Sequence, residues 1–372
     1  MEIAAAFAPL IGHDRPKTLL TQALLQQRLA PAYLFAGPDG VGRSLAARCF
    51  TQLVFSQPGS TQPGSTQPGS TRSPAALAHR IAQGNHPDLL WVEPTYLSQG
   101  QTFTAREAEA AGLSRKTAPQ VRLSQIRDIA RFVSRSPLEA PRSIVVIEQA
   151  ETMAEAAANG LLKTLEEPGQ ASLILLAPSA ENLLPTLVSR SQMLLFSALG
   201  EAQVRQVLQN LGQTDLLARG DVLALAEGSP GRAIALWNQL QAMPEDVLAG
   251  LDEITVWVAG SNPGNKNLGQ GQASPKAALT LAATITRQLE LSQQVWLMNY
   301  LQYQLWRSPS LSTGPGGGFS LGLAEQLKSI EASRRLLLRY VQPLLVWEVL
   351  LLGFLGQTGK AAAASPDRLE PF

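Results

Sequence analysis

Cysteine occurs once in this 372-residue chain, at Cys49. A lone cysteine excludes an internal disulfide and a cysteine-based zinc site, and it predicts a buried structural thiol in a reducing compartment. Net charge is equally scarce. Lys plus Arg number 30 against 29 Asp plus Glu, a formal charge of +1, and no run of five basic residues occurs. Any contact with nucleic acid must then come from a local patch rather than from the overall field. Histidine is rare, with three in all. His86, beside Pro87-Asp88, reads as a hydrogen-bonding group at a turn rather than a metal ligand. Long apolar runs are missing as well. Residues 344–355 are interrupted by Glu348 and are too short to span a bilayer, which predicts a buried helix. The opening MEIAAAFAPLIGHD lacks a basic segment followed by an apolar core, so no secretion signal and a cytoplasmic location are expected.

What is present is organised around residues 144–191. Ile144-Val145-Val146-Ile147 is short, β-branched and apolar on both faces, the signature of a strand buried in a parallel sheet. Glu148 and Gln149 end it. Thr152 and Glu155 form a T-x-x-E capping-box pattern, followed by Met153, Ala157, Leu161, Leu162 and Leu165 at helical spacing until Pro168-Gly169. Leu173 to Ala177 supplies the next strand, giving β-α-β order and an α/β fold.

Upstream, residues 16–30 predict an amphipathic helix and Ala32 to Ala36 a buried strand. That strand runs into Gly37-Pro38-Asp39-Gly40-Val41-Gly42-Arg43-Ser44, a phosphate-loop pattern with arginine in place of its lysine. The glycines allow backbone N–H groups to converge, and the helix expected over 45–55 offers its positive end to an anion. Arginine keeps the charge but replaces a slim ammonium with a wide planar fork. Two readings stay open: a loop that holds nucleotide, or a relic that only turns the chain.

Residues 57–71 repeat QPGST three times, a composition that predicts a flexible insertion. Leu89 to Val92 reads as a strand, residues 95–120 as a polar insertion, and residues 124–135 as a helix with Ile126, Ile129, Ala130 and Val133 inward. Short helices are expected over 197–212, 221–228 and 233–240, the last with Arg232 in its first turn. Residues 259–275 read as a linker, 276–356 as helical around a glycine-rich loop at 308–318, and 357–372 as a disordered tail.

Taken in order, GPDGVGRS, IVVIEQAE, EAAANGLLKTLEEP, LPTLVSRS and GSPGR resemble the delta-prime subunits of bacterial DNA polymerase III clamp loaders, a branch of the AAA+ family. LLKTLEEP together with the T-x-x-SR turn carries most of the specificity. The resemblance implies an AAA+ P-loop parallel-sheet domain over 1–196, a small helical lid domain over 197–258 and a C-terminal helical collar domain over 276–356. It places Gly37, Gly40, Gly42, Arg43 and Ser44 on the Walker A loop and Glu148 and Gln149 on the Walker B acid pair. It also places Ser179 on sensor 1, Arg232 on the sensor 2 arginine and Arg190 on the arginine finger that enters a neighbouring ATP site.

The chain departs from the family pattern in ways that matter. Gln149 is an amide where a base belongs, so hydrolysis at this chain's own site should be weak or absent. The four cysteines of the family's zinc module are missing, so no zinc is expected, and Ser191 replaces the cysteine beside the finger. ATP with magnesium remains an open cofactor assignment. The resemblance implies gamma/tau and delta subunits, the sliding clamp and primed DNA as partners, and no membrane. A second reading is a self-sufficient gamma/tau-type ATPase motor; a third, a P-loop kinase or transferase, lacks an evident acceptor site.

Overall fold

A computed structural model describes residues 6–57, 74–98, 100–112, 118–260, 274–307, 321–339 and 341–363. Nearly all of the QPGST repeats, residues 261–273 of the expected linker, the loop at 308–318 and the last nine residues, 364–372, lie outside the described residues. The chain divides into two compact units, Met1–Leu236 and Trp237–Phe372.

In the first unit, α1 (Asp14–Leu25) precedes β1 (Ala32–Ala36), and α2 (Arg43–Phe55) and α3 (Pro74–Ala82) follow. The first helix ends well before residue 30. Gln27 adopts φ 54°, and the amides of Gln27 and Arg28 bond the carbonyls of Leu24 and Ala23. That is a Schellman closure, normally built on glycine, and the sequence carries no glycine to announce it.

Next come β2 (Leu89–Val92), β3 (Thr95–Ser98), β4 (Gln101–Thr104), the short α4 (Ala105–Ala110), and α5 (Leu123–Val133). The expected polar insertion thus holds an antiparallel hairpin of β3 on β4. Paired hydrogen bonds between the backbones of Thr95 and Gln120, 2.9 and 3.1 Å, close its base. On α5, Ile126, Ile129 and Val133 are buried as expected, whereas Ala130 is exposed. Phe132 packs against the core in its place.

The remaining elements of this unit are β5 (Ser143–Ile147), a 3₁₀ turn at Ala150–Thr152, α6 (Glu155–Glu166), β6 (Ala171–Ala177), a second 3₁₀ turn at Ala180–Asn182, α7 (Pro185–Val188) and β7 (Gln192–Leu195). Helices α8 (Glu201–Asn210), α9 (Thr214–Leu217), α10 (Gly220–Leu225) and α11 (Pro230–Gln241) follow. The T-x-x-E capping box does not form. Thr152 lies in the 3₁₀ turn, where its hydroxyl donates to the Gln149 carbonyl at 2.7 Å, and the N-cap of α6 is Ala154 with no side-chain cap. The left-handed backbone of Gln149 inserts that turn and shifts the helix start past Thr152.

Strands β2, β5, β6, β1 and β7 form one parallel sheet in that order. Every residue of β1, β5 and β6 is buried, as their apolar character on both faces predicts. Alternation sends Leu34, Val145, Leu173 and Leu175 into one core with Ile126, Ile129 and Leu161. Tyr33 and Phe35 face the other side, where Tyr33 meets Phe50 edge-on at 5.5 Å and Phe35 meets Phe196 at 5.1 Å. Cys49 is buried on α2 and its thiol is pushed up to about 11 by burial.

The second unit is helical: α12 (Glu245–Gly260), α13 (Pro275–Gln288), α14 (Leu291–Arg307), α15 (Leu321–Leu338) and α16 (Pro343–Ala363). Val346, Trp347, Leu350, Leu351 and Phe354 of α16 are buried in its core. The Trp347 indole N–H donates to buried Gln294 at 3.0 Å. This last helix continues to Ala363, past the tail boundary expected at residue 357. No helix among the described residues is long and apolar enough to cross a membrane. The whole is α/β with a parallel sheet followed by a helical part, the class that the sequence predicts.

Asp88 illustrates what secures the sheet edge. Its carboxylate is 2% exposed and accepts the amides of Leu138, Glu139 and Ala140 at 2.7, 2.8 and 2.7 Å, pinning the loop that leads into β5. His86 Nδ1 accepts the Asp88 amide at 3.2 Å, and its ring stacks on Phe55 at 4.2 Å. Asp88→Ala strands three donors, and each buried donor left unmade costs about 1–3 kcal/mol. With the Ala140 contact buried and those of Leu138 and Glu139 only part-buried and open to water, an overall loss of about 2–4 kcal/mol in chemical denaturation is expected.

Candidate nucleotide-loop edge and a distal arginine

Because the strands are parallel, their carboxyl ends share one edge, and the sheet order places β1 between β6 and β7, the arrangement at which α/β sheets open a crevice. The loop from Gly37 leaves β1 there, Glu148-Gln149 leaves β5, and Pro178-Ser179 leaves β6. The Gly37 amide bonds the last carbonyl of β6, that of Ala177, at 3.2 Å. Sequence patterning alone names these residues; the topology brings them to one edge.

The loop's charges and carbonyls are met from within the chain. The Arg43 guanidinium pairs with the Asp39 carboxylate, and its side chain is 10% exposed. Ser44 is half-buried beside it. Gly42 caps α2 at φ 118°, a backbone open to glycine and to few other residues. The Ser229 hydroxyl donates to the Asp39 carbonyl at 2.6 Å, and the Gly231 amide donates to the Gly40 carbonyl at 2.9 Å. A Cβ at Gly231 would lie 2.7 Å from the Gly40 Cα. The turn ahead of α11 therefore lies directly on the loop from Gly37 to Ser44.

Within that turn, the residue against the loop is Gly231. Arg232 is half exposed, with Nη1 bonded to Glu227 Oε2 at 2.8 Å. Ser179 uses its hydroxyl to cap the following 3₁₀ turn, accepting from the Glu181 amide at 3.1 Å. Glu148 is half-buried at the end of β5, its amide bonded to Val92. Gln149 is exposed and held at φ 46°, ψ 52°, a left-handed conformation that costs a non-glycine residue about 1–2 kcal/mol.

Two residues of this edge escape sequence reasoning. Glu151 is half-buried with Oε2 lacking a hydrogen-bond partner. Burial pushes its carboxyl above the ordinary carboxylate range; Asp39 adds to the rise and Arg43 opposes it. His13, at the N-cap of α1, places Nε2 3.0 Å from the Val41 carbonyl and its ring 5.0 Å from Phe196. Neither residue stands in a pattern of spacing, and both are identified only by three-dimensional proximity to the loop. Among the described residues no group of three or more His, Cys, Asp or Glu is placed to hold a metal ion.

Arg190 is elsewhere. It follows α7 and lies two residues before β7, whose first residue, Gln192, pairs with Tyr33 near the start of β1. It thus sits at the amino-terminal edge of the sheet, separated from its own phosphate loop by the length of β1, about 15 Å for five residues at strand rise. Its side chain is 40% exposed. Nη2 donates to Glu166 Oε1 at 2.9 Å and Nη1 to the Thr186 carbonyl at 3.2 Å.

Two outcomes test this edge. Gly231→Ala drives a methyl into the Gly40 backbone, and overpacking of that kind costs about 1–3 kcal/mol. Denaturant unfolding should show the loss, with faster amide exchange at Gly40 to Ser44 and Ser229 to Ala233. Burial lowers the His13 pKa from its ordinary 6.5. The unfolded chain then binds the proton first, so this contribution is intact above pH 6.5 and is lost as the pH falls from there through the lower folded value. Urea midpoints at pH 7.5 and 5.5 should differ more for the native chain than for His13→Gln.

A family model described as DNA polymerase III, delta subunit, matches residues 12–200. A second, described as cyanobacterial DNA polymerase III delta prime, C-terminal domain, matches residues 202–354. DNA polymerase III subunit delta' of Pseudomonas aeruginosa is 32% identical over 213 residues, covering 56% of each chain. Its Bacillus subtilis counterpart is 32% identical over 186 residues, covering 50% of this chain and 47% of its own. The tau subunit from Bacillus subtilis is 23% identical over 256 residues, 67% of this chain and 40% of its own. The chain spans about half the length of the delta' relatives that it matches. With one family model over its sheet-bearing half and the delta-prime model over most of the remainder, this chain belongs to the DNA polymerase III delta subunit family, on its delta-prime side.

Proposed function

We propose that this chain acts in the cytoplasm as a delta-prime-type stator of the DNA polymerase III clamp loader. In that role it lends Arg190 to the ATP site of an adjacent gamma/tau-type subunit. The observation that carries this reading is the position of Arg190: an exposed guanidinium at the opposite sheet edge from its own phosphate loop cannot serve that loop and is open to a neighbour. A guanidinium delivered in trans stabilises charge on the transferring phosphoryl group and is worth about 10³–10⁵-fold where present.

The chain's own site supports the same reading. Gln149 has no carboxylate to orient or deprotonate water. Arg43 is neutralised by Asp39. If ATP and magnesium do bind, Gly37, Gly40, Gly42, Arg43 and Ser44 would cradle the phosphates, with Glu148 on the metal side; hydrolysis there is not part of this role. Residues 197–258 are proposed as the lid and 276–356 as the collar, with delta, the sliding clamp and primed DNA reached through the assembled loader. Similarity to tau subunits favours the motor reading, and Gln149 weighs against it.

The isolated chain should show negligible steady-state ATP turnover. Robust hydrolysis would overturn the stator role. Arg190→Ala should leave folding and assembly intact by circular dichroism and gel filtration while removing most of the turnover at the site it completes. An unchanged ATPase rate of the reconstituted complex would count against the finger.

A further inference from the structure

The motif LLKTLEEP is among the most specific stretches of the sequence, yet the function above assigns nothing to its acids. In the structure its Glu166 holds Arg190: Nη2 to Oε1 is 2.9 Å, with Nη1 on the Thr186 carbonyl. We infer that Glu166 is a positioning residue for the arginine lent in trans, an inference that rests on the proposed function.

Both partners are mounted on fixed elements. Glu166 ends α6, immediately after Leu165, which is 4% exposed, and one turn beyond Leu161, which is fully buried. Arg190 follows α7, anchored by Leu187 at 0% exposure, and the Ser191 hydroxyl donates to the Leu187 carbonyl at 2.8 Å. The backbones at the two ends of the contact are therefore set by the core, while the side chains are 54% and 40% exposed. A free arginine in such a loop samples many rotamers and must be ordered each time it meets a phosphate. A carboxylate on one fork and a carbonyl on the other select one orientation beforehand and leave the remaining N–H groups free for the incoming anion.

Helix α6 gives the contact a further property. It begins one turn after Gln149 at the loop edge of the sheet and ends at Glu166 on the other edge. Its twelve residues span about 18 Å at helical rise. The finger is thus braced by the same rigid element whose start is set by the turn after Gln149. An exposed pair of this kind contributes little to folding, so its removal is separable from stability.

The test is steady-state ATPase of the complex reconstituted from this chain and the ATP-hydrolysing subunits, comparing native chain, Arg190→Ala, Glu166→Ala, Glu166→Gln and the double Arg190→Ala/Glu166→Ala. Loss of a preordered rotamer predicts about a three- to tenfold fall in kcat for Glu166→Ala with KM for ATP unchanged. Glu166→Gln keeps an oxygen acceptor in place and should retain most of the rate. Glu166→Ala should add nothing in the Arg190→Ala background. If Arg190→Ala lowers the rate while Glu166→Ala leaves it unchanged, raises it, or adds fully to the Arg190→Ala loss, the positioning role is overturned and the finger stands. If Arg190→Ala itself has no effect, the proposed function fails and this role with it.

Discussion

Parallel hydrogen bonding of β1 between β6 and β7 is the constraint on which the rest depends. Once these three strands and β5, which pairs parallel to β6, run the same way, everything that follows β1, β5 and β6 emerges at one edge, and everything that precedes β6 and β7 emerges at the other. The phosphate loop, Glu148-Gln149 and Ser179 are gathered by the first consequence. Glu166 and Arg190 meet by the second. The division of labour proposed for the chain, a quiet site on one edge and an offered arginine on the other, is a property of strand direction before it is a property of any side chain.

The two edges differ in how their charges are met. At the loop edge Arg43 is nearly buried and already paired with Asp39, and backbone carbonyls of Asp39 and Gly40 are bonded to Ser229 and Gly231. These carbonyl contacts fix the shape of the loop, and an anion reaching Arg43 would compete with Asp39 for its guanidinium. Arg190 and Glu166 are half exposed, and a pair in that setting is worth roughly 0–1 kcal/mol. In the proposed role, a phosphate oxyanion would therefore engage Arg190 at small cost. The same residue type is 10% exposed on one edge, at Arg43, and 40% exposed on the other, at Arg190.

Much of the sheet was legible in the linear chain. The apolar runs at 32–36, 89–92, 144–147 and 173–177 are strands, because a strand covered on both faces leaves a local signature. Failures cluster where a backbone conformation without its usual residue intervenes. Gln27 ends α1 in a left-handed turn that glycine normally marks. Gln149 does the same after β5, which turns Thr152 into part of a 3₁₀ turn and cancels its capping box. The hairpin at 95–104 was hidden because its strands are four residues each and polar. Ala130 shows a smaller error of the same origin, since alanine at helical spacing carries too little apolar area to say which face it takes.

By itself the sequence determined the α/β class, the glycine-rich pattern before Arg43, the amide at Gln149, the absence of a cysteine cluster and the SR turn. Those are statements about residue types at fixed local spacing. Only the tertiary structure decided that Gly231 lies against Gly40 while Arg232 turns to Glu227, that Glu151 and His13 belong to the loop's surroundings, and that Glu166 holds Arg190 on the far edge. Apart from the local Arg232–Glu227 pair, each of these contacts joins segments separated in the chain, and spacing along a chain carries no record of which distant segments the packing of a buried sheet will bring together.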